Sequence, residues 1–221
     1  KALYTSVTEP LSELLRTVLI PEEGHQFVVA DFSAIEARVA AWVTGEEWRL
    51  DVFRNGGDIY CSSASQMFHV PVVKDGINGH LRKKGKVAEL ALGYGGGVNA
   101  LLAFGADKLG MSNEDMAQTV DLWRTASPRI VSIWDSLERA MRRCIVHHST
   151  TRDRVGGIVF QWERGIVWMN LPSGRRMAYY GAEYGPSRYN RNRNVIKYVG
   201  LNQRTKQVDM IETWGGKIFE N

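Results

Sequence analysis

The sequence predicts an α+β fold, and three observations along the chain lead to that class. A compact apolar run of strand length, Phe27–Ala30, is followed directly by a helical pattern. From about residue 60 to residue 150 the apolar residues recur at helical spacing, and beyond residue 155 the period becomes that of strands. With 221 residues, 44% of them hydrophobic, the chain can bury a sizeable core. We therefore expect an antiparallel sheet with helices, and a helical block inserted after a strand-led start.

Composition narrows the class of protein. A net charge of +4 favours a polyanionic partner, although many enzymes that never contact nucleic acid carry a similar charge. Cys61 and Cys144 lie far apart, which argues against a disulfide framework or a zinc site, and we expect two reduced core thiols. No apolar run approaches the roughly 20 residues of a bilayer span, so we predict no membrane partner and a cytoplasmic location. The sequence does not indicate an oligomeric state.

The first part of the chain contains three predicted elements. A short helical start over Leu11–Leu19 precedes the strand Phe27–Ala30, which we expect to be buried and central. Ser33 then stands three residues before Glu36, the spacing of a capping box, and predicts a helix from about 34 to 44.

The remaining elements follow from the change of period. Helical spacing predicts helices over Cys61–Phe68, Leu81–Leu92, Asn113–Ala126 and Pro128–Val146. Two hairpins are then expected: 158–180, turning at 172–174, and 195–214, turning near 202–206. The last predicted element is still in progress at Asn221, which indicates a piece of a longer protein.

An acid closes the first predicted strand. Asp31 directly follows Ala30 and precedes the helix, which puts it at the rim of the predicted sheet, where ligands of mixed α/β folds commonly bind. A carboxylate beside an exposed backbone carbonyl, here that of Phe32, suits Mg²⁺. The alternative is that Asp31 only caps the helix and that Glu36 bonds back to the cap, and the spacing alone does not decide between them.

A second informative stretch is Gly79–Gly97. Arg82, Lys86, Leu90 and Tyr94 are four residues apart, so on a helix they stay within one face. Two cations lead this face and two apolar groups end it, which suits phosphates at one end and a base and sugar at the other. An ordinary solvated basic face that continues into a core stripe is the alternative.

The two stretches together resemble the signatures of family A DNA polymerases, the DNA polymerase I type. Residues 31–38, DFSAIEAR, resemble the family pattern D-Y-S-x-I-E-x-R. Arg82, Lys86, Tyr94 and Gly95 match R-x-x-x-K-x-x-x-[F/Y]-G-x-x-Y-G at the right spacing. Residues 58–60, DIY, resemble the family's D-I-H, and the form of the signatures is similar to that of the phage or prophage branch.

The resemblance implies a DNA-directed DNA polymerase whose partners are primer-template DNA and deoxynucleoside triphosphates. Asp31 and the carbonyl of Phe32 would hold the catalytic Mg²⁺ pair, for which Mn²⁺ can substitute. Arg82 and Lys86 would clamp the incoming triphosphate, with Lys86 as proton donor to the pyrophosphate.

Further nucleotide contacts are implied for four positions. Glu36 would lie under the sugar 2′ position as a steric gate and pair with Tyr94, which would close over the nascent base pair. Leu90 stands where the family has an aromatic residue, and Tyr60 stands where it has a phosphate-contacting histidine.

The resemblance also implies a division of the chain. Residues 1–60 would be the first part of the palm, with the metal-binding strand and the following helix, 61–150 the helical fingers, and 151–221 the palm return with two hairpins. Lys217 and Asn221 resemble the start of the family's R-x-x-x-N-x-x-x-Q helix, which contacts DNA. The third signature, H-D-E, does not occur, so the chain is truncated before it and is expected to be inactive alone.

Three other functions stay open on the sequence alone. A single-subunit RNA polymerase shares the Arg/Lys/Tyr-Gly helix but lacks a gate acid equivalent to Glu36. A non-catalytic nucleic-acid-binding module would bind DNA in a salt-sensitive way, without nucleotide dependence. A metal-dependent phosphohydrolase would need further carboxylates or histidines near Asp31.

Overall fold

The computed structural model describes residues 11, 14–203 and 205–221. The chain divides into two units, residues 1–33 and residues 34–221, and each is described by itself. In the first unit a 3-10 helix covers Leu15–Val18. The predicted helical start over 11–19 lies partly outside the described residues.

The predicted central strand Phe27–Ala30 is wrong, because residues 25–32 have no regular secondary structure. Phe27, Val28 and Val29 are 58%, 86% and 91% exposed rather than buried. A strand forms where a second segment runs alongside and takes up its backbone hydrogen bonds. The paired strands of the described residues all come from 150–213, so this apolar run has no strand partner among them.

Eight α-helices are described in the second unit, and the four helices predicted between residues 61 and 146 are confirmed. Their bounds are α1 Ile35–Thr44, α2 Glu47–Arg54, α3 Ile59–Phe68, α4 Leu81–Leu92, α5 Val98–Ala103, α6 Asn113–Ala126, α7 Pro128–His147 and α8 Gly215–Glu220. A short 3-10 helix, Asp107–Leu109, follows α5. None of the helices in the described residues is long and apolar enough to cross a membrane.

Local sequence signals explain where three of these helices begin. Asp58 caps α3 through its side chain, a capping box starts α6 at Ser112, and Pro128 occupies the first turn of α7. The helix predicted from about residue 34 is confirmed as α1, but its N-cap is not the predicted Ser33. Its N-cap is Ala34, at φ 50° and without a side-chain cap bond, so Glu36 lies two rather than three residues beyond the cap.

The strands form one six-stranded antiparallel sheet in the order β1 to β6. Their bounds are β1 Thr150–Arg152, β2 Val159–Glu163, β3 Ile166–Asn170, β4 Arg176–Pro186, β5 Asn194–Leu201 and β6 Val208–Thr213. The predicted turns near 172–174 and 202–206 are confirmed as the β3–β4 and β5–β6 connections. The β2–β3 hairpin, which turns at Arg164 and Gly165, was not predicted.

Helix α7 lies between the sheet and the helical block and contributes to both parts of the core. Leu137, Met141 and Cys144 of α7 pack with buried residues of the sheet such as Phe160. Earlier along the same helix, Ile130 belongs to a second core cluster, formed mainly with α4, α5 and α6. Cys61 is likewise buried, and both cysteines are free thiols, as predicted.

Candidate functional site

Helix α4 carries three of the predicted nucleotide-binding residues, Arg82, Lys86 and Leu90, and it has an exposed side and a buried side. Lys86 and Leu90 are exposed, whereas Gly85 and Ala88 are buried against neighbouring helices. Gly85 allows the closest approach, since a Cβ there would collide with the carbonyl oxygen of Tyr60 on α3. The absence of a side chain at residue 85 therefore sets how near α4 lies to α3.

Arg82, at the start of α4, is bound to α3. Its Nε donates to Oδ2 of Asp58 at 2.8 Å, and the same carboxylate accepts the backbone N–H groups of Tyr60 and Cys61 at 2.9 and 3.1 Å. Burial tends to raise the pKa of Asp58, but the hydrogen bonds from Arg82 and the backbone outweigh it and hold the pKa below its ordinary value. The guanidinium is thus held in place by an ionised carboxylate.

Tyr60 lies beneath both predicted phosphate-binding cations. The ring centroid is 5.3 Å from Cζ of Arg82 and 6.0 Å from Nζ of Lys86, within the range of a cation–π contact. Burial raises the pKa of the Tyr60 hydroxyl, which stays protonated and able to donate a hydrogen bond.

An open cleft of about 630 Å³ lies beside the exposed side of α4. Lys86 and Leu90 line it from α4, while Phe104 and Lys108 line it from the segment after α5. Its volume is in the range of small-molecule sites. The cleft combines ammonium groups with apolar surface, but of the four residues predicted for one face only Lys86 and Leu90 line it, and Arg82 and Tyr94 do not.

Tyr94 lies two residues beyond the last residue of α4, so it is not on the helix itself. Its ring packs against Phe219 of α8, with the ring centroids 5.9 Å apart. Burial raises the pKa of Tyr94 to about 12, and the carboxylates of Glu36 and Glu220 add to the shift. Glu36 also contributes to the raised pKa of Tyr60. The exposed Glu36 of α1 is therefore close enough to both tyrosines for its charge to act on them.

The segment after α4 is held by three other helices. Trp134 of α7 donates from Nε1 to the carbonyl of Gly93 at 3.2 Å, and Arg124 of α6 donates from Nη2 to that of Gly96 at 3.1 Å. Gly216 of α8 lies against the backbone of Tyr94, because a Cβ on residue 216 would collide with that carbonyl oxygen. The backbone around Tyr94 is thus held in place by contacts from three helices.

The two predicted DNA contacts lie at the end of α8. Nζ of Lys217 is 2.8 Å from Oε2 of Glu220. Nδ2 of Asn221 donates to the hydroxyl of Tyr179 at 3.1 Å. Both residues line an open cleft of about 1340 Å³ that also borders Gly95. The Asn221 amide is therefore engaged with the sheet in this structure.

The predicted metal ligands belong to the first unit, and so they are described apart from α4. Asp31 and Phe32 are exposed, the latter by 79%. Among the residues that the structure describes, no group of three or more His, Cys, Asp or Glu side chains could hold a metal ion. Asp31 and the Phe32 carbonyl therefore remain predicted ligands, and they do not make up a complete site.

Sequence reasoning missed the acid that holds Arg82 and the one that anchors α4. Asp58 could have been found from its place directly before a predicted helix, where an aspartate is a preferred cap. Glu89 carries no such signal, because its partner Arg49 lies 40 residues away in the chain.

The model of DNA polymerase family A matches residues 5–157. The DNA polymerase of Bacillus phage SP02 is 44% identical over 220 residues, which are 99% of this chain and 33% of that protein. The thermostable DNA polymerase I of Thermus aquaticus is 30% identical over 138 residues, which are 62% of this chain and 16% of that protein.

A further relative gives the same result. The DNA polymerase I of Rhizobium leguminosarum is 32% identical over 130 residues, 58% of this chain and 12% of that protein. The chain thus spans about a third of the length of the phage relative and less of the two bacterial ones. Because the family model covers most of the sequence, the chain belongs to DNA polymerase family A.

Proposed function

We propose that the chain is the palm and fingers part of a DNA-directed DNA polymerase, which transfers a nucleotide from a dNTP to a primer 3′-hydroxyl. In this proposal residues 1–60 begin the palm, 61–150 form the fingers, and 151–221 return to the palm. The membership in DNA polymerase family A supports it. So does the antiparallel sheet of residues 150–213, which follows a helical block.

The observation that carries the proposal is the composition of the exposed side of α4. Arg82 and Lys86 stand over the ring of Tyr60, and Lys86 and Leu90 border one cleft. A triphosphate would be bound by the two cations with a hydrogen bond from the Tyr60 hydroxyl, and the base and sugar would rest towards Leu90.

Glu36 and Tyr94 give the proposal its preference for deoxynucleotides. Burial, with a smaller contribution from the charge of Glu36, raises the pKa of Tyr94, and in this proposal the two side chains close the site under the sugar. A ribose 2′-hydroxyl would then collide with the side chains of Glu36 and Tyr94. In the full-length enzyme, replacing Glu36 by alanine should admit ribonucleotides, whereas a single-subunit RNA polymerase already accepts them.

Enzymes of this family use divalent metal ions, and we propose Mg²⁺, or Mn²⁺, held in part by Asp31 and the Phe32 carbonyl. When bound, such an ion would lower the pKa of the attacking hydroxyl and neutralise charge on the leaving pyrophosphate. The described residues offer no complete set of ligands, and one carboxylate binds Mg²⁺ weakly. We therefore expect no turnover from residues 1–221 alone, and steady primer extension by the purified chain would contradict this.

Nucleotide binding by the chain tests the proposal directly. Titration with dATP, followed by calorimetry, should show binding that Lys86→Ala weakens by about tenfold or more, the usual effect of losing a charge-assisted hydrogen bond. Arg82→Ala should act similarly. Lys84→Ala is the matched control, because Lys84 lies about 200° around α4 from Lys86 and should leave the affinity within about twofold.

The same titration separates the polymerase from a nucleic-acid-binding module. The proposed polymerase would bind the nucleotide at Arg82 and Lys86. A module would bind duplex DNA with a steep salt dependence, would show no affinity for dATP, and would be indifferent to Lys86→Ala. That combination of results would refute the polymerase proposal and favour the nucleic-acid-binding module.

A further inference from the structure

A buried ion pair lies under the nucleotide-facing side of α4. Arg49 of α2 and Glu89 of α4 form a two-pronged contact, in which Nη2 donates to Oε1 at 2.9 Å and Nη1 donates to Oε2. Their side chains are 1% and 4% exposed. Glu89 stands between Lys86 and Leu90 in the sequence, so the pair anchors the part of α4 that faces the cleft.

The Glu89 carboxylate collects donors from three other helices. Besides Arg49, its Oε1 accepts from the hydroxyl of Ser63 on α3 at 2.6 Å and from Nε1 of Trp123 on α6 at 2.9 Å. Because these donors approach from different helices, a rotation or shift of α4 would break several of the bonds at once.

Arg49 is itself held in a fixed orientation. Its Cζ lies 4.6 Å from the ring centroid of Trp48 and 5.2 Å from that of Trp123. Nη2 also donates to the hydroxyl of Ser127, between α6 and α7, at 2.8 Å. The planar guanidinium therefore presents its two nitrogens to Glu89 in a single geometry.

Stability alone does not explain why two charges are buried here. The cost of removing both charges from water often cancels the attraction between them, and apolar residues of similar volume can stabilise a fold as well. The Nε of Arg49 is buried and has no hydrogen-bond partner among the described residues, so its desolvation is not fully compensated. Unlike an apolar contact, the hydrogen bonds of the pair are directional, so they fix how the two helices are oriented.

We propose that Arg49 and Glu89 are positioning residues, which fix the rotation and height of α4 and so the placement of Lys86 and Leu90 at the nucleotide. The inference rests on the proposed function, since it concerns the nucleotide-binding face of α4. It predicts that losing the pair lowers nucleotide affinity even where the protein remains folded.

Two variants test the inference. Each is titrated with dATP at a temperature well below the unfolding midpoint of every protein compared. Glu89→Gln removes the charge and leaves Arg49 without its counter-charge, and the affinity should fall by about tenfold or more, the usual effect of losing one charge-assisted hydrogen bond to the nucleotide. Glu114→Gln on exposed α6 surface is the matched control and should bind dATP like the wild type.

The double variant Arg49→Met with Glu89→Leu decides the case even where Glu89→Gln does not fold. We expect its thermal midpoint to stay near that of the wild type while its affinity for dATP remains reduced by about tenfold or more. Wild-type affinity in the folded double variant would mean that the pair only fills space, and would overturn the inference.

Failure of the proposed function and failure of this inference give different results. A wild-type chain that does not bind dATP removes the proposed function and the inference together. A wild type that binds, with a folded Glu89→Gln variant that binds equally well, removes the inference and leaves the proposed function standing.

Discussion

Replacing Gly85 by alanine tests how closely α4 must lie to α3. The added Cβ would collide with the carbonyl oxygen of Tyr60 and lie 3.1 Å from Cβ and 3.2 Å from the backbone nitrogen of Ala64. A backbone carbonyl cannot rotate out of the way as a side chain can, so α4 has to move by on the order of 1 Å to restore ordinary separations.

The magnitude follows from two opposing effects. Alanine in place of glycine favours a helix by about 1 kcal/mol, while overpacking costs about 1–3 kcal/mol, and more where backbone must move. We expect Gly85→Ala to lower the free energy of unfolding by about 2 kcal/mol. For a chain of this size that corresponds to a fall in the thermal midpoint of about 4–8 °C.

Gly93→Ala is the matched control at the other end of the same helix. Its Cβ would lie 3.4 Å from the carbonyl oxygen of Glu89, which is an ordinary contact, so its midpoint should be unchanged or slightly higher. Scanning calorimetry of both variants gives the comparison. Equal midpoints for Gly85→Ala and Gly93→Ala would show that the α3–α4 approach is not limited by residue 85.

Three further predictions concern charge and helix capping. Because the pKa of Asp58 is lowered in the folded state, its contribution is complete above about pH 4 and is lost as the pH falls through the lowered pKa. Asp58→Asn should therefore be about 1 kcal/mol less stable than the wild type at pH 7 in urea unfolding, and the difference should shrink as the pH falls through the lowered pKa of Asp58. A difference that persists in acid would contradict this. Burial raises the pKa of both Tyr94 and Tyr179 to about 12, so stability should fall as the pH rises from about 10 towards 12. Absorbance at alkaline pH should show one late-ionising tyrosine fewer in Tyr94→Phe, and an unchanged titration curve would refute the assignment. Ser112→Ala removes the capping box of α6 and should cost about 1 kcal/mol of stability, measured as a lower thermal midpoint.

Elements whose signals are local were predictable from the sequence. The bounds of α4 and α6 agree with those predicted, because apolar spacing and, for α6, a cap lie within the segment itself. The strand at 27–30 fails for the opposite reason. An apolar run indicates a preference for burial, but a partner elsewhere in the chain decides whether a strand forms.

The turn between β2 and β3 shows a different limit. Arg164 and Gly165 both adopt positive φ, at 50° and 81°, as a two-residue hairpin turn requires. Asparagine, aspartate or glycine usually occupies the first of these positions, so an arginine there gave no turn signal. Gly165 suits the second position, and five residue pairs between β2 and β3 fix the register of the hairpin.

The candidate site was predictable where its residues share one helix. Four-residue spacing brings Lys86 and Leu90 to one cleft, whereas Arg82 and Tyr94 of the same predicted face do not line it, and the nucleotide-binding roles stay predictions. The Arg49–Glu89 contact depends on how α2 and α4 pack, which no spacing encodes. The metal-binding role of Asp31 stays a prediction that metal titration of a longer chain can test.

In the sheet of the described residues, each strand pairs with the strand that precedes or follows it along the chain. The loops that must close during folding are therefore short, and their entropic cost is small. We expect the sheet to form rapidly for a β structure, strand by strand, without waiting for distant segments. During synthesis the chain has supplied every strand of this sheet once Thr213 has left the ribosome, and α7, made earlier, already offers the apolar surface on which the strands can assemble.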